Sequence, residues 1–477
     1  MRVSEYFKLG KTQAYLDFVD VPIDTDIEVF VDPTALRTLT SSWGSECASL
    51  VQYYFEAVLN RMKAGKDFEA QQLVSSLSER NEFHLGFSSG KSRGHGFGTK
   101  SAESVWGALS KSKASKSGLL KDLEDTCLLI EGIGRDMVSD AVCNIIRGPL
   151  IKYTQDICSY YGIPLTPNVV SGPIWNSHTE TWENKYVSLP ITSEGKLILV
   201  PKIFVRHRLS YEYREYYQHY LLPEMQHDEM QRNTGLVELL TDGRKRVTKK
   251  KLKERYGDNK LAVVEQTLRF PHVLDEYREA KERSVPPPLD HEQFAEIETI
   301  EAPKWDDLTA RLHAIPTGNA AANEYEELIE EIFSALFYPS LCNPRKQHEI
   351  HDGRKRIDIT YTNEARGGFF AWLSQHYPCA FVFIECKNYG KEVGNPEVDQ
   401  LSGRFSPSRG QVGLLVCRSV DDPGRLALRC KDTAKDSRGF IVALTDEDVI
   451  SLIESAKRGV SSHAFPLLAR KFHELIQ

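Results

Sequence analysis

No two of the 9 cysteines stand in a CxxC pair. That absence excludes the usual structural zinc spacing, and an odd, scattered count suits reduced thiols in the cytosol. No run of about 18 apolar residues occurs, so no membrane span is expected. The first residues, Met1-Arg-Val-Ser-Glu-Tyr-Phe-Lys8, hold no apolar signal core. A cytoplasmic chain is the expectation. Positive charge is not in excess either: the net charge is −7. Nucleic acid is therefore not attracted by the whole molecule, and any such binding must come from local basic patches. No internal repeat is visible.

What is present is an ordinary globular composition, 41% hydrophobic and 27% charged. The 477 residues are too many for one core, so two to four domains are expected, at roughly 100–200 residues each. The clearest division is Ser284-Val-Pro-Pro-Pro-Leu-Asp290, because consecutive prolines favour a stiff, extended connector. Four segments follow. Residues 1–225 read as an α+β region for recognition, sensing or assembly. Residues 226–283 read as a helical basic subdomain, 284–319 as a Pro-containing linker, and 320–477 as the C-terminal domain.

In the C-terminal domain Tyr325, Leu328, Ile329, Ile332, Phe333 and Leu336 recur at helical spacing, which predicts an amphipathic helix over 323–337. Strands are predicted at 345–350 and 354–362, joined by an Asp352-Gly353 turn. A short helix or insertion at 368–377 precedes a strand at 380–387. Helices at 396–404, 423–437 and 446–457 alternate with strands at 411–418 and 439–444. This order predicts an α/β domain with a mixed central sheet. In the N-terminal part helices are expected at 45–63, 67–80, 119–130 and 135–161, strands at 185–190 and 196–200, and a Tyr-rich helix at 209–222.

The chemistry concentrates in Phe381-Val-Phe-Ile-Glu385-Cys-Lys387 and Arg356-Ile-Asp358-Ile-Thr360. Side chains alternate faces along a strand, so Glu385 and Lys387 share one face and Cys386 takes the other. A carboxylate and an ammonium on a largely apolar strand are costly unless paired or metal-bound. With Asp358 on a neighbouring strand they suit metal-dependent phosphodiester hydrolysis, in which a cation held by carboxylates activates water and neutralises the phosphate. Asp358 and Glu385 would be ligands, with the main-chain carbonyl of Cys386 as a third. Lys387 would orient or help deprotonate the attacking water and stabilise developing charge. A helix acid, Glu326 in preference to Glu327, could complete the set.

These residues resemble the PD-(D/E)xK, restriction-endonuclease-like superfamily, closest to Mrr-type restriction endonuclease catalytic domains. The resemblance rests on Tyr325-Glu326, Ile357-Asp358, Ile384-Glu385-Cys386-Lys387 and Val398-Asp399-Gln400-Leu401, and covers about a third of the chain. It implies Glu326 as helix acid, Asp358 and Glu385 as metal ligands, Lys387 as catalytic lysine and Gln400 as supporting glutamine. It also implies Mg2+, with Mn2+ able to substitute, DNA as substrate (RNA left open), and restriction or anti-phage defence. A homo-oligomer, or partner proteins of a defence system, would accompany such a nuclease. Ile357 stands where the superfamily often has proline. Two alternatives stay open: an effector subunit switched on by a partner or ligand, and a non-catalytic binding module on the same fold.

Other signals are weaker. Gly86-Phe-Ser-Ser-Gly90-Lys91-Ser92 has three residues where a Walker A loop needs four, and no apolar helix follows. It reads as a Gly/Ser loop, or as one gripping a nucleic-acid backbone through Lys91, Arg93 and Lys100. Arg244, Lys245, Arg246, Lys249, Lys250 and Lys251 form the densest basic run and are candidates for phosphate contact. Tyr211, Tyr213, Tyr216, Tyr217 and Tyr220 read as core rather than as base-stacking groups. The acidic positions Asp17, Asp20, Asp24, Asp26 and Asp32 read as turn and helix-start residues more than as a second metal site.

Overall fold

The computed structural model describes residues 1–77, 81–86, 98–298, 303–350, 355–389, 393–459 and 463–477. The chain is mixed α/β and carries a five-stranded mixed sheet near its C-terminus. The Asp352-Gly353 turn and the loop holding Lys91 and Arg93 lie outside the described residues.

Two apolar cores form. The first gathers residues from Val3 to Phe294, with Tyr338 and Cys342 added from the C-terminal side. Its long helix α1 (Ser42–Lys63) starts where the Ser41 side chain accepts the Gly44 N–H, a capping bond that occupies one orphan donor. Val51, Tyr54, Phe55, Val58 and Leu59 form its buried face, at the spacing a helix needs to bury one stripe. Tyr54 packs against the facing pair Trp175 and Trp182, which come from the hairpin Thr166–Asn176 with Thr181–Leu189. The other β elements here are two-stranded ribbons of two residues per strand. The first of the expected strands is the second half of this hairpin. The stretch expected as a strand at 196–200 contributes only Lys196 to a ribbon.

Other differences from expectation have local causes. The helix expected at 135–161 is two, Arg135–Ile145 and Arg147–Tyr161. The break at Ile146 precedes Gly148-Pro149, and proline has no N–H to continue the ladder. Only Asp125–Leu129 of the expected 119–130 helix is helical. Before it, the Asp125 carboxylate accepts the N–H groups of Lys121 and Asp122, which fixes a turn. The tyrosines behave as core. Tyr211, Tyr216 and Tyr220 each pack on Tyr277.

Three of the N-terminal acids, Asp17, Asp20 and Asp32, serve as buried hydrogen-bond acceptors, whereas Asp24 and Asp26 are half-buried. Asp20 takes the N–H and hydroxyl of Ser4. Asp32 caps the next turn at Thr34 and takes the hydroxyl of Ser210. Asp17 accepts from the Tyr153 hydroxyl at 2.7 Å and from the Asn343 N–H at 2.8 Å. Burial raises the Asp17 and Asp20 carboxyls above their ordinary range, against these bonds.

The stretch 284–319 carries two helices, His291–Glu298 and Trp305–Ala314. Phe294 is buried in the first core, whereas Leu308 and Leu312 are buried in the second. The apolar pair Leu308 and Leu312 recurs at one helical turn, a spacing that the prolines upstream do not disturb. Residues from both sides of position 225 share the first core: Tyr216 and Tyr217 before it, Val247, Leu252, Val263 and Tyr277 after it.

The second core surrounds the sheet. Its strands are β1 (Leu341–Ile350), β2 (Lys355–Asn363), β3 (Phe381–Lys387), β4 (Val412–Cys417) and β5 (Phe440–Thr445), in the spatial order β5-β4-β3-β2-β1. β1, β2 and β3 pair antiparallel, and β3, β4 and β5 pair parallel. β4 is buried at all six positions, as a central strand covered on both faces must be. Helix α2 (Ala322–Leu336) buries the stripe expected of it, and the Tyr361 hydroxyl donates to its Glu330 carbonyl. Helix α3 (Asn395–Ser402) packs against β4 and β5.

Several polar contacts join the cores. The Glu364 carboxylate accepts the Thr40 N–H at 2.7 Å and the Ser41 N–H at 3.3 Å, at the N-terminus of α1. The Lys202 ammonium lies 4.0 Å from the ring centre of Tyr338, the residue that the C-terminal side lends to the first core. Glu364→Ala is expected to cost about 1–2 kcal/mol, the size of a lost helix cap. Urea unfolding checks this, and a midpoint equal to wild type would deny Glu364 that role.

Candidate active site

Ile359 faces Ile384 across the β2–β3 ladder, and Thr360 faces Phe383. One step past the last pair of that ladder, the same register runs Asp358 toward Glu385. Facing residues of an antiparallel pair project to one side of the sheet, so the two carboxylates share a face. Asp358 Oδ2 accepts the Cys386 N–H at 2.9 Å. That bond fixes the carboxylate against the strand that carries Glu385 and Lys387.

Lys387 and Glu385 are both buried, at 9% and 1% exposure. Their cost is met by mutual pairing: Lys387 Nζ donates to Glu385 Oε1 at 2.6 Å. Lys387 also reaches Gln400 Oε1 on α3 at 3.4 Å. Arg404, just past the end of α3 and 5% exposed, pairs with the other Glu385 oxygen. Glu385 therefore holds a cation on each oxygen. Sequence reading did not single out Arg404. Its signal was its place one helical turn after Gln400, the spacing that puts two side chains on one helix face.

Glu326 stands on α2, one turn before the buried Glu330. Its carboxyl is pushed up to about 7, first by burial and next by the negative charge of Asp358, with Lys346 opposing. Lys346 also lies 3.8 Å from Glu330. Glu326 thus senses Asp358 electrostatically, without a direct hydrogen bond between them. The Cys386 thiol is raised by burial and by the same two acids, Asp358 and Glu326. Glu326, Asp358, Glu385, Lys387 and Gln400 are all brought to one end of the sheet.

The metal-free protein yields a pH prediction. A carboxyl raised to about 7 from 4.5 binds its proton more tightly when folded. Its contribution to stability is full below pH 4.5 and is lost as pH rises through 7. Glu326→Gln removes that loss. Thermal melts in EDTA should coincide for variant and wild type at low pH, with the variant melting higher above pH 7. Parallel curves would show that Glu326 is not perturbed.

Among the described residues no group of three or more His, Cys, Asp or Glu is arranged to hold a metal ion. Asp358 and Glu385 form a pair of hard oxygen donors, and a bound cation would relieve the Asp358 repulsion that adds to burial in raising Glu326. Magnesium commonly takes only one or two carboxylates and fills its shell with water and substrate oxygens. The donor chemistry fits it. Arg404 would have to give up its Glu385 oxygen for that oxygen to ligate.

The remaining basic candidates are spread over different elements. Lys245 and Arg246 lie in a short ribbon and Lys249–Lys251 open a helix. Arg244 pairs with Asp242, Arg246 and Lys251 with Glu238, and Lys250 with Glu254. Lys245 donates to Asn233 and Lys249 to the Gln218 carbonyl. All six therefore have local partners, and the acids offset much of their field.

Residues 8–212 match a family model described as "Domain of unknown function (DUF8370)". The match lies in the first core and stops well before Glu326. No curated protein and no solved structure matches the chain.

Proposed function

We propose that the chain is a magnesium-dependent nuclease of the PD-(D/E)xK kind, cutting DNA, with a restriction-endonuclease-like sheet nearest to Mrr-type enzymes. The observation that carries this reading is Asp358 brought toward Glu385 on antiparallel strands, with Lys387 on the same strand and face as Glu385. Asp358 and Glu385 would hold the cation, with the Cys386 carbonyl and Glu326 beside them. When bound, the ion would activate water and neutralise the phosphate. Lys387 would hold and orient the attacking water and offset charge developing on the phosphate. Gln400 positions the Lys387 ammonium, and the Cys386 N–H holds the Asp358 carboxylate.

A second reading has its own support. Arg404 and Lys387 close both oxygens of Glu385, which suits an effector held off until a partner or ligand moves Arg404. Restriction or anti-phage defence, and a homodimer for double-strand cutting, belong to the same proposal.

The test is purified protein offered supercoiled plasmid, linear DNA, single-stranded DNA and RNA, each with Mg2+ and with EDTA. The expected result is metal-dependent nicking or linearisation of plasmid. Arg404→Ala should raise activity if Arg404 is a latch, and lower it if Arg404 supports the site. Cleavage that persists in EDTA would sink the metal assignment.

A further inference from the structure

A second cavity lies between the two cores, apart from the carboxylate site, with a volume of about 240 Å3. Its lining includes Arg206 and Pro287 from the first side, and Ser340, Glu364, Arg366 and His463 from the second. Arg206 is 3% exposed. Its Nε donates to the Pro286 carbonyl, and its Nη1 to those of Ile203 and Val205. Its Nη2 makes none of these bonds, and no carboxylate lies within ion-pair distance among the described residues. Asp32 supplies the largest compensating charge but forms no ion pair with it, and its oxygens take Thr34 and Ser210.

Arg366 makes no hydrogen bond or ion pair with any described residue. It is close enough to Arg206 for the two positive charges to repel. Burial disfavours the charged form of Arg206, and partial desolvation that of Arg366, whose residue is otherwise exposed. Two like charges facing one cavity, one of them buried without an ion pair, are unfavourable unless an anion completes them. The Glu364 carboxylate on the same wall pairs with neither guanidinium; its Oε2 accepts from Thr40 and Ser41 instead. Ser340 Oγ and His463 Nδ1, 3.3 Å apart, add a neutral polar pair.

We propose that this cavity binds a small phosphoryl-bearing anion through Arg206 and Arg366, and so joins the two cores through a ligand. Guanidinium forks match phosphate oxygens in pairs. The volume falls just below the roughly 300–1,000 Å3 typical of drug-sized ligand sites, so the ligand is small. This assignment does not depend on the nuclease reading.

The experiment is calorimetric titration of sodium pyrophosphate, inorganic phosphate and succinate into the full chain. EDTA is kept present so that no metal-bound pyrophosphate gathers at Asp358. Pyrophosphate is expected to bind and to raise the melting temperature. Arg366→Ala, at an exposed position that should leave folding intact, is expected to weaken binding by roughly ten- to a hundredfold, the loss of a charge-assisted pair. Arg206→Lys keeps the charge and loses the fork, and should weaken it too. If that buried variant fails to fold, Arg366→Ala alone decides. No binding of any anion overturns the proposal, as does binding that Arg366→Ala leaves unchanged. Succinate binding more tightly than both phosphates overturns the phosphoryl assignment.

Discussion

Glu385→Ala is expected to lose cleavage by at least roughly a hundred- to a thousandfold, the scale of removing a group that stabilises transition-state charge. It is also expected to destabilise the protein. Glu385 is 1% exposed and carries Lys387 on one oxygen and Arg404 on the other. Removing it leaves two cations facing each other in a buried site. Breaking a buried pair from one side costs about 3–5 kcal/mol. Lys387→Ala differs in kind, because Glu385 keeps Arg404. Its stability cost should stay near the ~1–3 kcal/mol of an unpaired polar group, while its loss of cleavage matches that of Glu385→Ala. Urea unfolding beside a cleavage assay separates the two. Equal stability losses would mean that Arg404 does not hold Glu385 as described.

Arg278→Ala should be strongly destabilising. Arg278 donates to Asp125 through Nε at 3.1 Å and Nη2 at 2.5 Å, and its Nη2 donates to the Leu119 carbonyl. Asp125 is fully buried. The pair ties helix Pro271–Arg283 to the segment around Leu119, across the 225 position. Losing the arginine strands a buried carboxylate, at about 3–5 kcal/mol. The Lys121 and Asp122 N–H groups still reach it and hold the cost toward the lower end. The double change Asp125→Leu with Arg278→Met should recover most of that loss, since apolar pairs often replace buried ions at little cost. A single variant as stable as wild type would show that the carboxylate finds solvent instead.

These two sites also mark where sequence reading works and where it stops. The C-terminal sheet was legible chiefly because β2, β3 and β5 are short β-branched or aromatic runs and α2 shows a clean apolar stripe. Asp358, Glu385 and Lys387 stood out because charge on such strands is anomalous. The first strand of the N-terminal hairpin, Thr166–Asn176, was not legible. Pro167, Gly172 and Pro173 interrupt it, and the ladder absorbs them only through shifts of register. Asp125 and Arg278 were invisible for a different reason. They are far apart in sequence, and only packing makes either one buried. Arg404 falls between these cases: the Gln400 spacing hinted at it, but its Glu385 contact belongs to the folded state. The Arg206–Arg366 cavity had no sequence signal, since it exists only where the two cores meet.

The most direct measurement is plasmid cleavage by purified wild type and Lys387→Ala, side by side, with Mg2+ and with EDTA. The nuclease proposal expects wild type with Mg2+ to cut, and the variant and the EDTA samples to leave the plasmid supercoiled. The variant should still fold, melting a few degrees below wild type, so that an assay run well below its melting temperature reads lost chemistry. A folded Lys387→Ala protein that cuts as fast as wild type would contradict the assignment of this site.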